Sequence, residues 1–581
     1  MDARAASVYR GGMEAGEILL TRGLLDQRQL EALRAAPSEG LRLDQVAVRM
    51  GLVKEEDALR AIGDAVGLDY VDLGEAEVDL SLLKDFPQKF IYRQNLFPIR
   101  KTNGSLLVAT NDPFNLYPLD ELSVATGLSI TPVLAAQGEI AKLIKTHLGV
   151  GSETVEGLLA QSAEDGIELL EELQTDGSEL SEMAQEPSVV RLVNEILLEA
   201  IQTRSSDVHI EPLHNGLTVR YRIDGVLHPQ PIPPEINRFQ AAIISRLKIM
   251  AKLNIAERRL PQDGRIQLKV SGRDVDVRVS VIPMIHGEGV VLRLLDKGGM
   301  EFSLRKLGME ADTYATFQEL INLPHGIILV TGPTGSGKST TLYSALLEIR
   351  SGETKIITTE DPVEYQLDGI NQIQVHTKIG LTFGNSLRSI LRHDPDIILI
   401  GEVRDLETAE NAIQASLTGH LVFSTLHTND AAGAYTRMVD MGVEPFLVSS
   451  TVEAVMAQRL VRTLCKHCRA PYHPHREDLP RDFPFERLAG QPLYRAAGCR
   501  ECRHVGYLGR VGLFELLVTT DRIRQLSHDR VTTWAIYNAA LEEGMRSLRD
   551  DGWLKVFDGR TSVEEVVRAT KANTVTMKKK E

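Results

Sequence analysis

Residues 332–339 read GPTGSGKS, which matches the spacing G-x-x-x-x-G-K-[ST] of a loop that binds nucleotide phosphates. Its glycines allow several backbone N–H groups to point at phosphate oxygens, and the helix predicted to follow adds partial positive charge. We expect Lys338 to reach the β and γ phosphates and Ser339 to offer its hydroxyl to Mg²⁺. The complete predicted nucleotide-binding set is Gly332, Pro333, Thr334, Gly335, Ser336, Gly337, Lys338, Ser339 and Thr340.

Hydrolysis also requires a group that activates water, and three acidic segments accompany the predicted strands of this region. They are TTEDPVEY with Glu360, Asp361 and Glu364, GEVRD with Glu402, and LRHDPD with Asp394 and Asp396. Because doubly wound sheets place their chemistry at the carboxyl ends of strands, we expect all three at that edge. Glu364 is the first choice for orienting or deprotonating the water, with Glu402 second. Gly401 occupies the position at which many enzymes with such a loop have a metal-binding Asp, so Glu402 is also expected to hold Mg²⁺ through water.

Two histidines flank the apolar strand LVFSTL, His420 before it and His427 after it. A neutral imidazole can sense a terminal phosphate by hydrogen bonding, and its charge changes near physiological pH. Spacing alone leaves open the alternative that either histidine is structural. We treat both as candidate catalytic residues.

The chain has four cysteines, which form two C-x-x-C pairs at Cys465, Cys468, Cys499 and Cys502. The N-terminus lacks the apolar core of a signal peptide, so the pattern indicates a metal knuckle and not a disulfide framework. Four thiolates complete a closed tetrahedral Zn²⁺ site, whose predicted role is structural or docking. The alternative is four thiols without a metal.

The elements that must position these residues belong to several domains, because 581 residues exceed a single hydrophobic core. Residues 301–520 alternate apolar strands with helices, which predicts an α/β domain with a mostly parallel sheet and a cysteine insertion at about 462–510. Alternating strand patterns predict an α+β domain over 187–300. Residues 521–581 are predicted to form a C-terminal helical region.

Residues 1–150 are predicted to form a small helical and α+β domain with an internal repeat. Its two copies, ILLTRGLLDQRQLEAL (Ile18–Leu33) and VAVRMGLVKEEDALRAI (Val46–Ile62), align at an offset of 28. Gly23 and Gly51 are expected to end the first helix of each copy. We interpret this domain as a docking unit for a partner.

The net charge of −15 is concentrated in the predicted linker 151–186, where eleven residues are acidic and none is Lys or Arg. Without that segment the net charge would be −4. Self-repulsion predicts an exposed linker or marginal helix there. Charge therefore does not by itself exclude a polyanionic partner. No run approaches about 18 apolar residues, so we expect no bilayer-spanning segment.

Several segments together resemble the secretion ATPase superfamily that serves type II secretion and type IV pilus assembly. GPTGSGKST, TTEDPVEY, GEVRD and TGHLVFSTLHTND resemble its Walker A, Asp, Walker B and His boxes. The paired cysteines followed by GYLGRVGLFELL resemble the assembly ATPases, since the retraction ATPases generally lack such cysteines. NIAERRLPQDGRI and MGVEPFLVSSTVEAVMAQRLVR are most similar to the type II secretion assembly ATPases.

The resemblance implies a RecA-like ATPase domain, preceded by an α+β PAS-like domain, in a homohexamer that hydrolyses Mg-ATP to drive pseudopilus assembly. It also implies that arginines of the 187–300 domain neutralise charge on the γ phosphate, an effect worth roughly 10³–10⁵ in rate. Arg220, Arg222, Arg265 and Arg278 are candidates, with Arg265 and Arg278 taken as catalytic. The alternative for each is a solvated strand residue.

The implied partners are the cytoplasmic part of a single-pass inner-membrane secretion protein and an inner-membrane platform protein, with acidic lipids as a further candidate. They would hold a cytoplasmic protein at the periphery of the inner membrane. Some related N-terminal domains bind cyclic di-GMP through two motifs that begin R-L-G, but here the first begins Glu14, Ala15, Gly16 and the second has Asp44 for the glycine. Because Glu14 and Asp44 would repel a phosphate, we favour protein docking over cyclic di-GMP.

Three alternatives to a type II secretion motor remain open. A type IV pilus assembly ATPase keeps the enzyme and changes the machine. A nucleic-acid motor is disfavoured because the acidic segment and an aromatic content of 5% argue against single-strand stacking, so no nucleic-acid partner is expected. The third is a nucleotide-gated scaffold that binds ATP with little turnover.

Overall fold

The computed structural model describes residues 15–35, 42–84, 86–87, 90–91, 94–102, 104–115, 117–148, 167–169, 184, 186–232, 234–270, 272–296 and 302–571. The chain divides into two compact units, Met1–Gly298 and Gly299–Glu581. Glu14 and most of the acidic segment 151–186 lie outside the described residues. Within the described ranges, no helix combines the length and apolar content needed to cross a bilayer.

The first unit begins with the helical repeat. Its helices are α1 (Ala15–Thr21), α2 (Gln27–Ala35), α3 (Leu43–Arg49) and α4 (Glu55–Val66). Gly23 and Gly51 follow α1 and α3 with left-handed φ angles of 73° and 70°. The next residue in each copy donates its backbone N–H to Leu19 or Ala47 at 3.0 Å. Both copies therefore end their first helix with the same glycine turn.

A three-stranded sheet follows the repeat. It contains β1 (Phe97–Thr102), β2 (Ser105–Thr110) and β3 (Ser129–Leu134), with helices α5 (Tyr117–Thr126) and α6 (Gln137–Leu148). The first two strands are antiparallel, whereas β2 and β3 are parallel because α5 makes the crossover between them. Phe97, Leu122 and Ile140 belong to the shared core.

The rest of the first unit is a seven-stranded antiparallel sheet. Its strands are β4 (Ile167–Leu169), β5 (Ser205–Leu213), β6 (Gly216–Ile223), β7 (Val226–Gln230), β8 (Gln262–Val270), β9 (Arg273–Met284) and β10 (Gly287–Asp296), in the order β4-β8-β9-β10-β5-β6-β7. Helices α7 (Pro187–Gln202) and α8 (Gln240–Met250) share one apolar core with the sheet. Because β4 comes from the acidic segment, the expectation of a linker or marginal helix is wrong for those three residues.

The second unit is built on a mostly parallel sheet. Its strands are β11 (Gly326–Thr331), β12 (Ile356–Glu360), β13 (Asn371–Gln374), β14 (Ile397–Ile400), β15 (Leu421–Leu426), β16 (Val452–Leu464), the separate ribbon β17 (Ala470–Tyr472) and β18 (Leu493–Arg495), and β19 (Tyr507–Val518). The sheet order is β13-β12-β14-β15-β11-β16-β19, and only β19 is antiparallel to its neighbour. Every residue of β11 and β15 is buried, as expected for strands with helices on both faces.

Ten helices of the described residues surround this sheet. They are α9 (Ala311–Leu320), α10 (Lys338–Ile349), α11 (Phe383–Ile390), α12 (Leu406–Leu417), α13 (Ala432–Asp440), α14 (Pro445–Thr451), α15 (Asp521–His528), α16 (Thr533–Glu542), α17 (Leu548–Phe557) and α18 (Val563–Ala569). Short 3₁₀ helices occupy Leu80–Lys84, Pro234–Phe239, Leu304–Lys306, Thr377–Ile379, Arg476–Asp478 and Phe485–Leu488. The predicted α/β multidomain class with a mostly parallel sheet is confirmed.

The C-terminal helices belong to the same compact unit as the parallel sheet. Ile523 and Ile536 join the core on one face of the sheet. Trp553 and Val566 form a second core with Phe483 of the cysteine insertion. The C-terminal helical region therefore completes the second unit and also supports the insertion.

Candidate functional site

The phosphate-binding loop joins β11 to α10, so it lies between a buried strand and a helix N-terminus, as the sequence predicts. Gly332 and Gly337 have φ angles of 148° and 92°, and both face β16 closely. A Cβ atom at Gly332 would lie 2.5 Å from the carbonyl oxygen of Gln458, and one at Gly337 would lie 2.8 Å from Nε2 of the same residue. Only glycine fits both positions.

Lys338 is the first residue of α10, and its side chain curls back over the loop. Its Nζ donates to the carbonyl oxygens of Gly332 at 2.9 Å and Pro333 at 3.2 Å. Burial lowers the pKa of Lys338 below its ordinary value, and the nearby Glu402 carboxylate offsets only part of this lowering. Since phosphate oxygens are stronger partners for an ammonium than neutral carbonyls, a bound nucleotide would take over these hydrogen bonds.

Glu402 follows β14, and its carboxylate contacts two partners. Oε1 pairs with Nη2 of Arg404 at 2.5 Å, and Oε2 lies 3.3 Å from Nε2 of His427. The side chain of Glu402 is only 13% exposed, whereas Arg404 is 65% and His427 51% exposed. The structure therefore brings together the predicted acid after β14 and the predicted histidine after β15.

The position of His427 is fixed relative to the phosphate-binding loop by Thr331, the last residue of β11. Its Oγ1 donates to the carbonyl oxygen of Leu426 at 3.0 Å and accepts the backbone N–H of Thr428 at 2.8 Å. These bonds bracket His427 on both sides along the chain. Lys338, Glu402 and His427 consequently lie at one edge of the sheet.

Three other candidates lie at the opposite edge. His420 precedes β15, which is parallel to β11, and its Nδ1 lies 2.8 Å from the carbonyl oxygen of Ala415. Asp394 and Asp396 precede β14, and Oδ2 of Asp396 accepts the backbone N–H of Lys355 at 2.6 Å. Placing these aspartates at the carboxyl edge is wrong, because their strand begins after them. The structure does not bring His420 to the loop of the same chain.

Glu364 lies in the loop after β12, and a tyrosine of α10 contacts that loop. The backbone N–H of Glu364 donates to the hydroxyl oxygen of Tyr343 at 3.3 Å. The hydroxyl of Tyr343 in turn donates to Glu360, the buried last residue of β12. Sequence reasoning missed Tyr343, whose place in the helix pattern gave no indication of its partners.

Two residues of β16 that sequence reasoning also missed lie beside the phosphate-binding loop. Gln458 Oε1 accepts the hydroxyl of Thr341 at 2.8 Å. Arg459 Nη1 would lie 3.1 Å from a Cβ atom at Gly332, and its Nη2 donates to the carbonyl oxygen of Asn429 at 2.8 Å. Burial lowers the pKa of Arg459. The only sequence signal was their place in the matching segment AQRLVR.

The first unit carries a row of arginines across its seven-stranded sheet. Its members pair in register on adjacent strands, in the order Arg265, Arg278, Arg293, Asp207 and Arg222. Arg265 and Arg293 are 54% and 51% exposed, and the residues flanking them along the strands face the helix-covered core. Sequence reasoning missed Arg293, although GVVLRLL alternates as a strand does.

Carboxylates partly balance this arginine row. Asp207 accepts from Nε of Arg293 at 3.0 Å and lies 3.7 Å from Nε of Arg222. Arg265 pairs with Asp276, and Arg220, outside the row, pairs with Glu211 at 2.5 Å. The row therefore places four arginines on one face of the sheet, with Asp207 and Asp276 among them.

The four cysteines form one compact group. Their sulfur atoms all lie within 4.8 Å of one another, with separations of 3.8 Å for Cys465–Cys499, 3.7 Å for Cys468–Cys502 and 3.7 Å for Cys499–Cys502. A tetrahedral Zn²⁺ with Zn–S bonds of about 2.3 Å requires sulfurs about 3.8 Å apart. Sγ of Cys502 also accepts the backbone N–H of Gly506 at 3.2 Å, which favours a thiolate. The group therefore could hold a metal ion of this kind.

Arg42, the basic residue kept in the second copy of the N-terminal motif, is already paired. Its Nη2 lies 3.1 Å from Asp44, its Nη1 lies 2.5 Å from Asp112, and its Cζ lies 5.0 Å from the ring centre of Phe114. An anion approaching this guanidinium would meet two carboxylates.

Two family models match the chain. The model described as Type II/IV secretion system protein matches residues 182–568, and the MshEN domain model matches residues 66–154. The first match contains the arginine row, the phosphate-binding loop and the cysteine group. The second contains the three-stranded sheet and begins at Val66, the last residue of α4.

Relatives of known name extend over nearly all of the chain. The type IV pilus assembly ATPase PilB of Myxococcus xanthus is 42% identical over 96% of this chain and 98% of its own length. The type II secretion system protein E of Xanthomonas campestris pv. campestris is 44% identical over 95% and 98%. The type II secretion system ATPase E of Vibrio cholerae is 50% identical over 84% and 93%.

Proposed function

The chain belongs to the type II/IV secretion system protein family and is an ATP hydrolase of that family, and from this premise we propose that it drives pseudopilus assembly and protein export by type II secretion. The observation that carries the proposal is the meeting of Lys338, Glu402 and His427 at one edge of the parallel sheet. This edge offers a phosphate-binding cation, a metal-holding acid and a polar sensor together. Relatives named for type II secretion are 44% and 50% identical.

In the proposed reaction, the loop N–H groups and Lys338 bind the β and γ phosphates of ATP. Ser339 and Glu402 would hold Mg²⁺, which neutralises charge between these two phosphates. Glu364 orients or deprotonates the water that attacks the γ phosphorus, and the bond to the bridging oxygen breaks to release ADP. His427, 3.3 Å from Glu402, can hydrogen-bond to the terminal phosphate.

The working form that we propose is a homohexamer. In it Arg265 and Arg278, joined by Arg293, neutralise charge on the γ phosphate. Their in-register row supports this role, as do the half-exposed side chains of Arg265 and Arg293. An arginine clamp is worth roughly 10³–10⁵ in rate, so turnover would depend on assembly of the ring.

The cysteine group is proposed to hold a structural Zn²⁺ through Cys465, Cys468, Cys499 and Cys502. Their sulfur separations of 3.7–3.8 Å support tetrahedral coordination. Four thiolates would leave no open coordination position, so the zinc would stabilise the insertion or a docking surface and would not take part in hydrolysis.

We place the protein in the cytoplasm, attached to the periphery of the inner membrane through other proteins. The proposed partners are the cytoplasmic part of a single-pass secretion protein, which would bind the N-terminal domain, and an inner-membrane platform protein. Acidic lipids are a third candidate. We propose neither nucleic acid nor cyclic di-GMP as a ligand. The exclusion of cyclic di-GMP is supported by Asp44 and Asp112, whose carboxylates already pair with Arg42.

Type IV pilus assembly is the second candidate function, because PilB is 42% identical over 96% of this chain. The ATPase chemistry would be unchanged, and only the assembled fibre would differ. The two candidate functions can therefore be distinguished by experiments in cells but not by an ATPase assay.

The test is complementation of a deletion strain with wild type, Lys338→Ala or Glu364→Gln, with secreted enzymes and surface pili measured side by side. We expect wild type to restore secretion and both variants to fail, while the exposed Lys378→Ala control restores it. Restored pili with unchanged secretion would favour the second candidate. If Lys338→Ala restored secretion or pili as fully as wild type does, an ATP-driven role in that machine would be refuted.

A further inference from the structure

The hydroxyl of Tyr343 joins two segments that belong to different steps of the proposed reaction. Tyr343 lies on α10, the helix that begins at Lys338, and is 1% exposed. Its oxygen accepts the backbone N–H of Glu364 at 3.3 Å, and its proton goes to the carboxylate of Glu360. One side chain thus connects the phosphate-binding helix to the loop that carries the proposed water-activating acid.

The direction of these hydrogen bonds follows from the partners. A backbone N–H can only donate, so the tyrosine oxygen must be its acceptor. The single hydroxyl proton is then available for Glu360, which is 5% exposed. Glu360 Oε1 also accepts from the hydroxyl of Thr358 at 2.6 Å and from Nε2 of Gln372 at 3.1 Å. A buried carboxylate with three donors is a fixed anchor, and Tyr343 is held against it.

Aromatic packing fixes the ring of Tyr343 as well as its hydroxyl. Phe302 packs edge-on against Tyr343 with ring centres 5.5 Å apart, and against Tyr365 with centres 5.4 Å apart. Tyr365 directly follows Glu364 in the chain. The loop is therefore held on both sides of the Glu364 backbone, by a hydrogen bond at its N–H and by ring packing at the next residue.

We propose that Tyr343 is the positioning residue for Glu364, which it holds at a set place relative to the helix that binds the phosphates. This proposal rests on the proposed role of Glu364 in activating water. Without the hydroxyl, the loop keeps its ring packing but loses its bond to α10. The carboxylate then samples positions away from the attacking water, which lowers turnover and leaves nucleotide binding intact.

The experiment compares kcat and KM for ATP of the full-length chain and its variants. Tyr343→Phe is expected to lower kcat about tenfold and change KM less than about twofold. The matched control is Tyr435→Phe on α13. It removes the hydroxyl of an equally buried tyrosine, which is hydrogen-bonded to Oγ1 of Thr519 at 2.7 Å. The control should keep both constants within about twofold.

A combined variant separates positioning from a merely structural effect. In the Glu364→Gln background, adding Tyr343→Phe should change kcat less than about twofold, because the acid that it positions is gone. A tenfold fall that persists in that background, a change in KM alone, or an unchanged kcat for Tyr343→Phe would each overturn the proposal.

Two further outcomes are distinguishable. If Glu364→Gln itself keeps full kcat, the role of Glu364 fails and this inference fails with it. If Glu364→Gln loses kcat while Tyr343→Phe keeps it, only the positioning role fails. Should Tyr343→Phe not fold, Phe302→Leu keeps the hydroxyl and loosens both rings. It should lower kcat about threefold, and an unchanged kcat would overturn the proposal.

Discussion

His427 Nε2 lies 3.3 Å from Glu402 Oε2, beside the loop that holds Lys338. Both side chains follow neighbouring parallel strands, so the sheet itself sets their separation. Glu402 is nearly buried and His427 half exposed, which leaves the imidazole free to turn toward a bound phosphate while the carboxylate stays in place.

His427→Ala should lower kcat for ATP by about tenfold to a hundredfold, because one hydrogen bond to the terminal phosphate is lost in the transition state. KM should change little, since Lys338 and the loop still bind the nucleotide. Steady-state phosphate release measures both constants. His325→Ala is the control, an exposed histidine before β11 at the opposite edge. Equal effects of the two substitutions would contradict a role in sensing phosphate.

Arg278→Ala is expected to lower ATP turnover by about 10²–10³, because it removes the cation between Arg265 and Arg293 in the arginine row. The wild-type rate per chain should rise with protein concentration as rings form, and the variant should lose most of this rise. Lys269→Ala is the control, since Lys269 lies on the same face of β8 outside the row. A variant with wild-type turnover at every concentration would show that the row serves another purpose.

Purified protein should contain about one zinc per chain, and Cys468→Ser should lose it. The loss should lower the thermal unfolding midpoint of the second unit, because the insertion packs Phe483 against Trp553 with ring centres 5.1 Å apart. Elemental analysis measures the metal, and tryptophan fluorescence follows unfolding because both tryptophans lie in this unit. Metal-free protein with an unchanged midpoint would refute a structural zinc.

Glu515 should make the stability of the second unit depend on pH. Burial raises the pKa of Glu515 from an ordinary 4.5 to about 7, although it accepts backbone N–H groups of Ala431 at 2.8 Å and Leu548 at 3.2 Å. Between these two values the folded state binds more protons than the unfolded chain. The free energy of unfolding should therefore fall as pH rises, by at most about 1.4 kcal/mol per unit, and level off above about pH 7.

Glu515→Gln cannot titrate and should remove that dependence. The measurement is denaturant unfolding, followed by tryptophan fluorescence, at about pH 5 and about pH 8. Glu319→Gln, an exposed position on α9, should keep the wild-type dependence. The change in the free energy of unfolding between the two pH values is compared between wild type and Glu515→Gln. A wild-type value that rises relative to that of Glu515→Gln would contradict the raised pKa.

Local spacing made part of the site predictable from sequence. The loop at Lys338, the paired cysteines and the repeated glycine turns each depend on residues close together in the chain. No local sequence pattern specifies the register between strands that are distant in the chain. The alignment of Arg293 with Arg278 was therefore missed. The same limit applies to Tyr343, whose partner Glu360 lies on another element.

The placement of Asp394 and Asp396 failed for a related reason. They stand between a helix and an apolar run, and a sequence pattern does not say which end of a strand such residues border. The structure starts β14 at Ile397, so both carboxylates precede it.

Strand β16 passes beside the nucleotide loop at Gln458 and Arg459 and ends one residue before Cys465. It is hydrogen-bonded to β11 from Val452 to Ala457, and from Ala454 to Leu464 it is paired with the antiparallel β19. Through this strand, a force applied to the cysteine insertion would be transmitted to Gln458 and Arg459, about 20 Å from Cys465 along the chain. A mechanical load on the cysteine insertion would therefore alter the nucleotide pocket.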